Sequence, residues 1–395
     1  MARNTSANLA RVIEADRNQI LAFRLAGHNL TRRVSTRSIV RVAAACGVQE
    51  TPLATASIAF LARIDGLTPA VLQRALEKDR TLIALWSVRG APFVVPARDL
   101  GVFSAGALPL DAQSFSYSLG GWADILEKAG LDPFVTLERM ITAAKKLLDG
   151  RTMNVNEFRD SLHARVRSLS KLSRPSFSRA DMPEPLFRAV GTSGAVCIVA
   201  GRGTDAALAR TDQWLASPPT TPGRAQARGE LARRFLHCYG PASAQHFADW
   251  TQRSLADAKN AFASIAEELI EVAVGGKRLW LLRGDRKALS SPSEPKGIRL
   301  LPVLDPFLQQ RDRATVLPDE ATRRKLWQPT RGPGGVLVGG EIIGTWRAQT
   351  KKARLDVAVS PFRPLVRGTR SGIESEAERI APFRGCESVA VTFTD

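Results

Sequence analysis

The sequence predicts an α+β protein built from tandem winged helix-turn-helix units with a small β-rich C-terminal region. Two observations lead to this prediction. Three helical patterns followed by a two-stranded hairpin occur near the N-terminus and again in the third quarter of the chain. Towards the end, IRLLPVLDPFLQQRDRATVLP and GGVLVGGEIIGTWRAQ have the composition of strands and turns rather than helices.

The third quarter gives the clearest pattern. RGELARRFLHCYG predicts a helix that ends at Gly240, because a proline follows. PASAQHFADWTQ and SLADAKNAFASI predict two shorter helices with Ser243 and Ser254 as N-caps. ELIEVAV and KRLWLLRG then predict a hairpin that turns at Gly275-Gly276. In a winged helix-turn-helix unit, the third helix enters the major groove and the hairpin contacts the DNA backbone.

The first hundred residues show the same order. Thr51 before Pro52, and Thr68 before a second proline, indicate N-caps with proline at the first helical position. TLIALWSVRG and APFVVPARDL alternate as strands do and predict a hairpin that turns at Arg89-Gly90. The expected helices of this unit cover residues 36–46, 52–64 and 69–79.

A middle unit is predicted from less evidence. NVNEFRDSLHARV is helical in pattern, AVCIVAGRGT indicates a strand and a turn, and SPPTTPGRAQ indicates a proline-rich linker. No repeated sequence relates the units. The predicted division is a first winged-helix unit with N-terminal helices, a second winged-helix-like unit, a third winged-helix unit and a β-rich region, at residues 1–135, 136–222, 223–290 and 291–395.

The composition indicates a polyanionic partner. Of 395 residues, 56 are basic and 38 are acidic, which gives a formal charge of +18. Arginine predominates among the cations, and its guanidinium suits phosphate and guanine contacts. A genome that favours arginine codons is the alternative explanation. No leader or membrane-spanning run is evident, so we expect a cytoplasmic, nucleoid-associated protein. The four cysteines have no metal-ligand spacing with the four histidines, and we expect neither metal nor cofactor.

Four segments resemble a known family when they are taken in order: RIDGLTPAVLQRALEKDRTLIALWSVRGAPFVVPARDL, YGPASAQHFADW, LLPVLDPFLQQRDR and GGEIIGTWR. They are similar to the AlkZ-like winged-helix DNA glycosylases, bacterial enzymes that excise alkylated bases and open interstrand crosslinks. The family carries a Gln-x-Gln or Gln-x-Asp pair before the second helix. Here Gln49 occupies the first position and Thr51 the second. Phe93 occupies the place of a histidine that the family often carries in the first wing.

The resemblance implies candidate catalytic residues at Gln49, Glu50 and Thr51. An amide such as Gln49 can hold a water near the sugar C1′, and Glu50 can place negative charge beside an oxocarbenium-like transition state. The alternative for Gln49 is a polar residue at a helix entry, and Thr51 is not free to position water if it caps the helix. The candidate DNA-binding residues lie at predicted hairpin tips, where phosphate contact is sterically easy: Arg89, Arg202, Lys277 and Arg278. For Asp305, Arg311 and Asp312, we favour a structural network over a functional role.

Three functions remain open. The first is a DNA glycosylase acting on alkylated purines in alkylation repair, crosslink repair or self-resistance. The second is a non-catalytic winged-helix protein that regulates transcription or senses lesions, and the third is a basic protein that binds RNA or another polyanion. Tandem units fit a monomer around double-stranded DNA better than they fit a dimeric regulator.

Overall fold

The structure, a computed structural model, describes residues 13–51, 55–109, 112–120, 122–166, 184–201, 205–220, 222–330 and 332–394. Within these residues it combines helices with four β-sheets of two, three, five and six strands. The predicted α+β class is therefore confirmed.

The helices of the described residues are α1 (Arg17–Gly27), α2 (Ile39–Ala44), α3 (Thr55–Arg63), α4 (Pro69–Gln73), α5 (Leu100–Phe103), α6 (Ala112–Leu119), α7 (Trp122–Lys128), α8 (Pro133–Leu147), α9 (Val155–Arg165), α10 (Glu184–Thr192), α11 (Thr211–Trp214), α12 (Arg224–Tyr239), α13 (Ala244–Thr251), α14 (Leu255–Ala263), α15 (Arg286–Ser290), α16 (Arg313–Val316), α17 (Glu320–Leu326) and α18 (Thr369–Ile380).

The strands of the same residues are β1 (Ile13–Glu14), β2 (Val34–Ser35), β3 (Val48–Gln49), β4 (Ile64–Asp65), β5 (Leu82–Trp86), β6 (Pro92–Pro96), β7 (Met153–Asn154), β8 (Val196–Ala200), β9 (Ala207–Arg210), β10 (Leu269–Val274), β11 (Lys277–Leu282), β12 (Ile298–Leu301), β13 (Gly334–Val338), β14 (Glu341–Lys351), β15 (Arg354–Pro361) and β16 (Ser388–Phe393).

The local sequence signals place the elements of the third quarter correctly. Helices α12, α13 and α14 are followed by the antiparallel hairpin β10–β11. Ser243 Oγ accepts a hydrogen bond from the His246 N–H at 3.2 Å, and Ser254 Oγ accepts one from the Asp257 N–H at 3.1 Å. Each cap satisfies a backbone donor that the first helical turn leaves without a partner.

The first hundred residues also follow the expected order, α2, α3, α4 and the hairpin β5–β6. Thr68 caps α4 through the Val71 N–H at 3.4 Å. A six-stranded sheet in the order β3-β6-β5-β8-β9-β7 then joins this hairpin to the middle of the chain. The predicted middle strand and helix are present as β8 and α9.

The C-terminal region contains the five-stranded sheet β12-β13-β14-β15-β16, as its composition predicted. Helix α18 was not expected there. Its apolar residues Ile373, Ala377 and Ile380 are buried, and the helix packs against β12 and β16. The region is therefore a sheet with the covering helix α18 and two shorter helices, α16 and α17, rather than a purely β cap.

Residues of the predicted first unit and of the predicted third unit pack together in one hydrophobic core. Phe93 and Phe103 share it with Phe235, Phe247 and Trp250. The three predicted boundaries stay predictions, but this packing means that the first and third units do not have separate cores. No helix in the described ranges is long and apolar enough to cross a bilayer.

Candidate active site

Gln49 lies at the centre of a polar network that the sequence indicated only in part. It ends strand β3 and pairs with Phe93 of strand β6. Its side chain is 5% exposed. Its Oε1 atom accepts hydrogen bonds from Arg89 Nη2 at 2.7 Å and from Gln309 Nε2 at 3.2 Å. These bonds fix the orientation of the amide, while the described residues include no hydrogen-bond acceptor for its Nε2 atom.

Arg89 lies at the predicted turn between β5 and β6, with a φ of 62°. Its guanidinium donates to Gln49, to Gln309 Oε1 at 2.7 Å and to the Trp250 carbonyl at 2.7 Å. Burial, followed by the charge of Arg311, lowers its pKa to about 10, so it is protonated at neutral pH. Arg89 thus holds Gln49 in place, and its contact with DNA stays a prediction.

Gln309 is the site residue that the sequence reasoning missed. It ends the short helical turn Pro306–Gln309 that follows β12. Its Nε2 atom also donates to the Leu304 carbonyl at 2.8 Å, so its amide is held at both ends. The charged residues of LDPFLQQRDR stand out in the sequence, whereas nothing local distinguishes the functional role of its amides.

Glu50 and Thr51 occupy different positions in this arrangement. The Glu50 carboxylate accepts a hydrogen bond from the Ala56 N–H at 2.7 Å, at the start of α3. Thr51 is exposed. Residues 52–54, including the proline on which the Thr51 cap was predicted, lie outside the described residues.

A cleft of about 890 Å³ opens beside this network, and we call it the central cleft. Gln49 lies just beneath its lining, hydrogen-bonded to two of the lining residues. The lining combines cations, amides and apolar side chains, among them Thr51, Arg89, Leu304, Gln309, Arg311, Arg313, Trp327 and Arg347. Burial lowers the pKa of Arg311 and of Arg313. Such a lining suits an anionic ligand that also has a flat, apolar part.

Buried ion pairs hold the loop that carries Gln309. Asp305 receives two hydrogen bonds of 2.8 Å from Arg63, and both side chains are almost fully buried. Asp312 lies 2.9 Å from Arg24 Nη1. Asp305 and Asp312 thus have the structural role that we favoured, but their partners are Arg63 and Arg24 from the N-terminal part of the chain. Arg311, the third member of the expected network, lines the central cleft instead.

Comparison with known proteins gives the family. The family model of DNA glycosylase AlkZ-like proteins matches residues 42–383, which is most of the chain. The chain belongs to the AlkZ-like DNA glycosylase family.

One curated protein and one solved structure to which this AlkZ-like chain is similar come from Streptomyces sahachiroi. The chain is 23% identical over 390 residues to a protein described as an interstrand DNA cross-link repair glycosylase, covering 96% of this chain and 99% of the relative. The solved structure of the DNA glycosylase AlkZ has a TM-score of 0.75 and 21% identity, covering 97% of this chain and 100% of the other. The latter comparison supports a shared fold.

Two positions near Gln49 differ from what the resemblance implies. Thr51 stands where a second amide or carboxylate was expected, and Phe93, directly opposite Gln49 in the sheet, stands where a histidine was expected. Phe93 is fully buried, so its position belongs to the core. Gln309 brings a second amide to Gln49 from a different part of the chain.

Two of the other predicted DNA-binding residues lie at a hairpin. Lys277 and Arg278 begin β11, immediately after the Gly275-Gly276 turn, and both are exposed. Arg278 lies 3.5 Å from Glu271 of the paired strand. Arg202 lies outside the described residues. The DNA contacts of these residues stay predictions.

Three potential metal ligands also meet in the AlkZ-like fold. The ligand atoms of His28, Cys46 and Cys238 lie within 4.8 Å of one another in the core. Hydrogen bonding from Cys238 holds the pKa of the Cys46 thiol well below its usual range. A closed zinc site needs four ligands, and the neighbouring Tyr239 hydroxyl donates instead to the Pro306 carbonyl at 2.7 Å. The ring edges of His28 and Tyr239 pack together, 4.8 Å between centroids, as in an ordinary core.

Proposed function

We propose that this AlkZ-like protein is a monofunctional DNA glycosylase that hydrolyses the N-glycosidic bond of an alkylated purine in duplex DNA. The single observation that carries the proposal is the Gln49 amide, fixed by Arg89 and Gln309 beneath a cation-lined cleft. The family to which the chain belongs supports the reaction.

The reaction requires little acid catalysis. A purine alkylated at N7 or N3 is cationic, so it leaves as a neutral base when the bond between its nitrogen and C1′ breaks. The enzyme then has to hold a water against C1′ and stabilise an oxocarbenium-like transition state. Water oxygen forms the new bond to C1′, and its proton passes to solvent.

The amides of Gln49 and Gln309 suit this task. Because Gln49 Oε1 is occupied by Arg89 and Gln309, its Nε2 atom is oriented and can donate to the water oxygen. We infer that Gln309 supplies the second amide that Thr51 lacks. The Glu50 carboxylate accepts a hydrogen bond at the start of α3. We therefore propose that Glu50 positions this helix and does not contact the sugar.

DNA binding is proposed from charge and element order. We interpret each set of three helices and a hairpin as a winged helix-turn-helix unit. In the third unit, we propose that Lys277 and Arg278 contact DNA phosphates. The charge of +18 supports binding to double-stranded DNA without strong sequence preference. We propose binding as a monomer because the units occur in tandem in one chain. Since the curated relative is described as a cross-link repair enzyme, we extend the proposal to purines joined in an interstrand crosslink.

Two features favour a second candidate, a non-catalytic protein that binds or senses lesions. Thr51 lacks the amide of the family pair, and Phe93 cannot take part in proton transfer. Retention of DNA binding without base release is the expected behaviour of such a protein.

Release of free base distinguishes the two functions. The purified protein is incubated with a duplex that carries one N7-alkylguanine, and released base is measured by chromatography against a protein-free control for spontaneous loss. We expect release well above that control, and unhooking of a duplex crosslinked through two such guanines. Binding of the duplex without release from either N7- or N3-alkylated purines would support the second function.

A further inference from the structure

An apolar side chain lines the central cleft at an unusual backbone position. Leu304 is 39% exposed, although it is a leucine beside a cationic cleft. Its φ is 59°, in the left-handed region that favours glycine. The Asp305 N–H donates to the Pro302 carbonyl at 3.0 Å, so Leu304 occupies the third position of a tight turn, where glycine or asparagine is usual.

The loop that carries Leu304 is held from both sides. On one side, Asp305 is anchored by two buried hydrogen bonds from Arg63. On the other, the carbonyl of Leu304 itself accepts from Gln309, which also contacts Gln49. The leucine is therefore presented rigidly, and its position is coupled to the amides of the candidate site.

We propose that Leu304 is a wedge that enters the base stack and fills the space left by the nucleotide that is extruded towards Gln49. This inference rests on the proposed function. Proteins that open the stack insert apolar side chains between base steps, and enzymes that act on a base must take it out of the duplex. The neighbouring Arg311 and Arg313 are placed to hold the flanking phosphates of a strand opened in this way.

A glycine variant separates this role from folding. Leu304→Gly removes the side chain and suits the positive φ, so the thermal midpoint is expected to stay the same or rise. Single-turnover excision from a fully paired duplex should fall by about tenfold or more, because unstacking costs a few kcal/mol. Excision of the same lesion from an unpaired bulge should change by less than about threefold, because that base is already unstacked.

The control is Val366→Ala, which shortens an exposed side chain before α18 and should leave both rates unchanged. Fluorescence of 2-aminopurine beside a lesion with a 2′-fluoro sugar, which slows cleavage, reports unstacking directly. Wild type should raise this fluorescence and Leu304→Gly should not. Equal loss on duplex and bulge, or an unchanged duplex rate, would overturn the proposal. If wild type releases no base from either substrate, the proposed function fails, and the fluorescence comparison still decides whether Leu304 opens the stack.

Discussion

At the scale of single residues, the candidate site depends on a contact between positions far apart in the chain. The resemblance indicated Gln49, and the hairpin pattern placed Arg89 at a turn. Gln309 was not predicted, since it reaches Gln49 across 260 positions of sequence. Motifs of neighbouring residues report local geometry, whereas a pair formed only by tertiary packing leaves no such signal.

Gln309→Ala should lower the single-turnover excision rate by about 10- to 100-fold with unchanged DNA affinity, because an amide that orients the attacking water acts on the transition state. Gln328→Ala, which removes another amide from the lining of the central cleft, serves as the control and should have a much smaller effect. Adding Thr51→Gln to the Gln309 variant should restore part of the rate. A Gln309→Ala enzyme as fast as wild type would exclude the second-amide role.

The buried pair of Asp305 and Arg63 gives a stability prediction. Asp305→Asn leaves the Arg63 guanidinium buried without its counter-charge, which typically costs about 3–5 kcal/mol. Unfolding in urea, followed by fluorescence, measures the change in the free energy of unfolding. Glu341→Gln breaks a much more exposed pair with Arg17 and should cost less than about 1 kcal/mol. Similar losses in the two variants would contradict the structural role of Asp305.

At the scale of elements, the sequence predicted what is decided locally. Ser243, Ser254 and Thr68 cap helices at the expected positions, because capping depends on residues within one turn. The hairpins β5–β6 and β10–β11 follow from alternating strands around glycine turns. Helix α18 was not predicted, because the sequence around it has the composition of strands: β13, β14 and β15 precede it and β16 follows it. The pairing of β3 and β6, which brings Gln49 against Phe93, could not be predicted from either segment alone.

Helix α12 and the helical turn after β11 are linked by an ion pair that depends on pH. His237 Nδ1 lies 3.0 Å from Asp285, and this hydrogen bond raises the pKa of His237 above its usual value. The stabilisation is fully present below the unfolded pKa of about 6.5 and is lost as pH rises through the higher folded pKa. Because His237 is half exposed, we expect a contribution of less than about 1 kcal/mol.

His237→Gln should therefore lower the thermal midpoint at pH 5.5 and leave it unchanged at pH 9. Asp285→Asn should show the same pH dependence, since it removes the other partner of the pair. A midpoint difference from wild type that is equal at both pH values would indicate lost packing rather than a lost charge interaction.

At the scale of the whole molecule, composition predicts the class of partner but not how the segments of the chain pack together. The excess of arginine and lysine indicates a polyanion whatever the fold. The shared core of Phe93, Phe235 and Trp250 was not predictable, because the segments that form it read as separate units. The order of segments identified the family. The contact between Gln49 of the predicted first unit and Gln309 of the C-terminal region could be found only from the structure.

Binding to duplex DNA should weaken steeply with salt, because phosphate contacts release counterions. Lys277→Ala and Arg278→Ala should each weaken binding about equally for all sequences and reduce the slope of log K against log salt by about one. Lys128→Ala, which removes an exposed lysine from the end of α7, is the control. Fluorescence anisotropy over a series of salt concentrations measures both quantities. A loss confined to one sequence would indicate base recognition and favour a regulator.

The most direct test of the central claim compares wild type with Gln49→Ala on a duplex that carries one alkylated purine, under single-turnover conditions with the binding constant measured in parallel. Removing a preorganised hydrogen-bonding group typically lowers a rate by about 10²- to 10³-fold. We predict a loss of up to that size in the rate of base release with a binding constant close to that of wild type, and a lower thermal midpoint because Arg89 and Gln309 lose a buried acceptor. Base release by Gln49→Ala at the wild-type rate, or no release by wild type on any alkylated purine, would contradict the assignment of Gln49 as the catalytic amide.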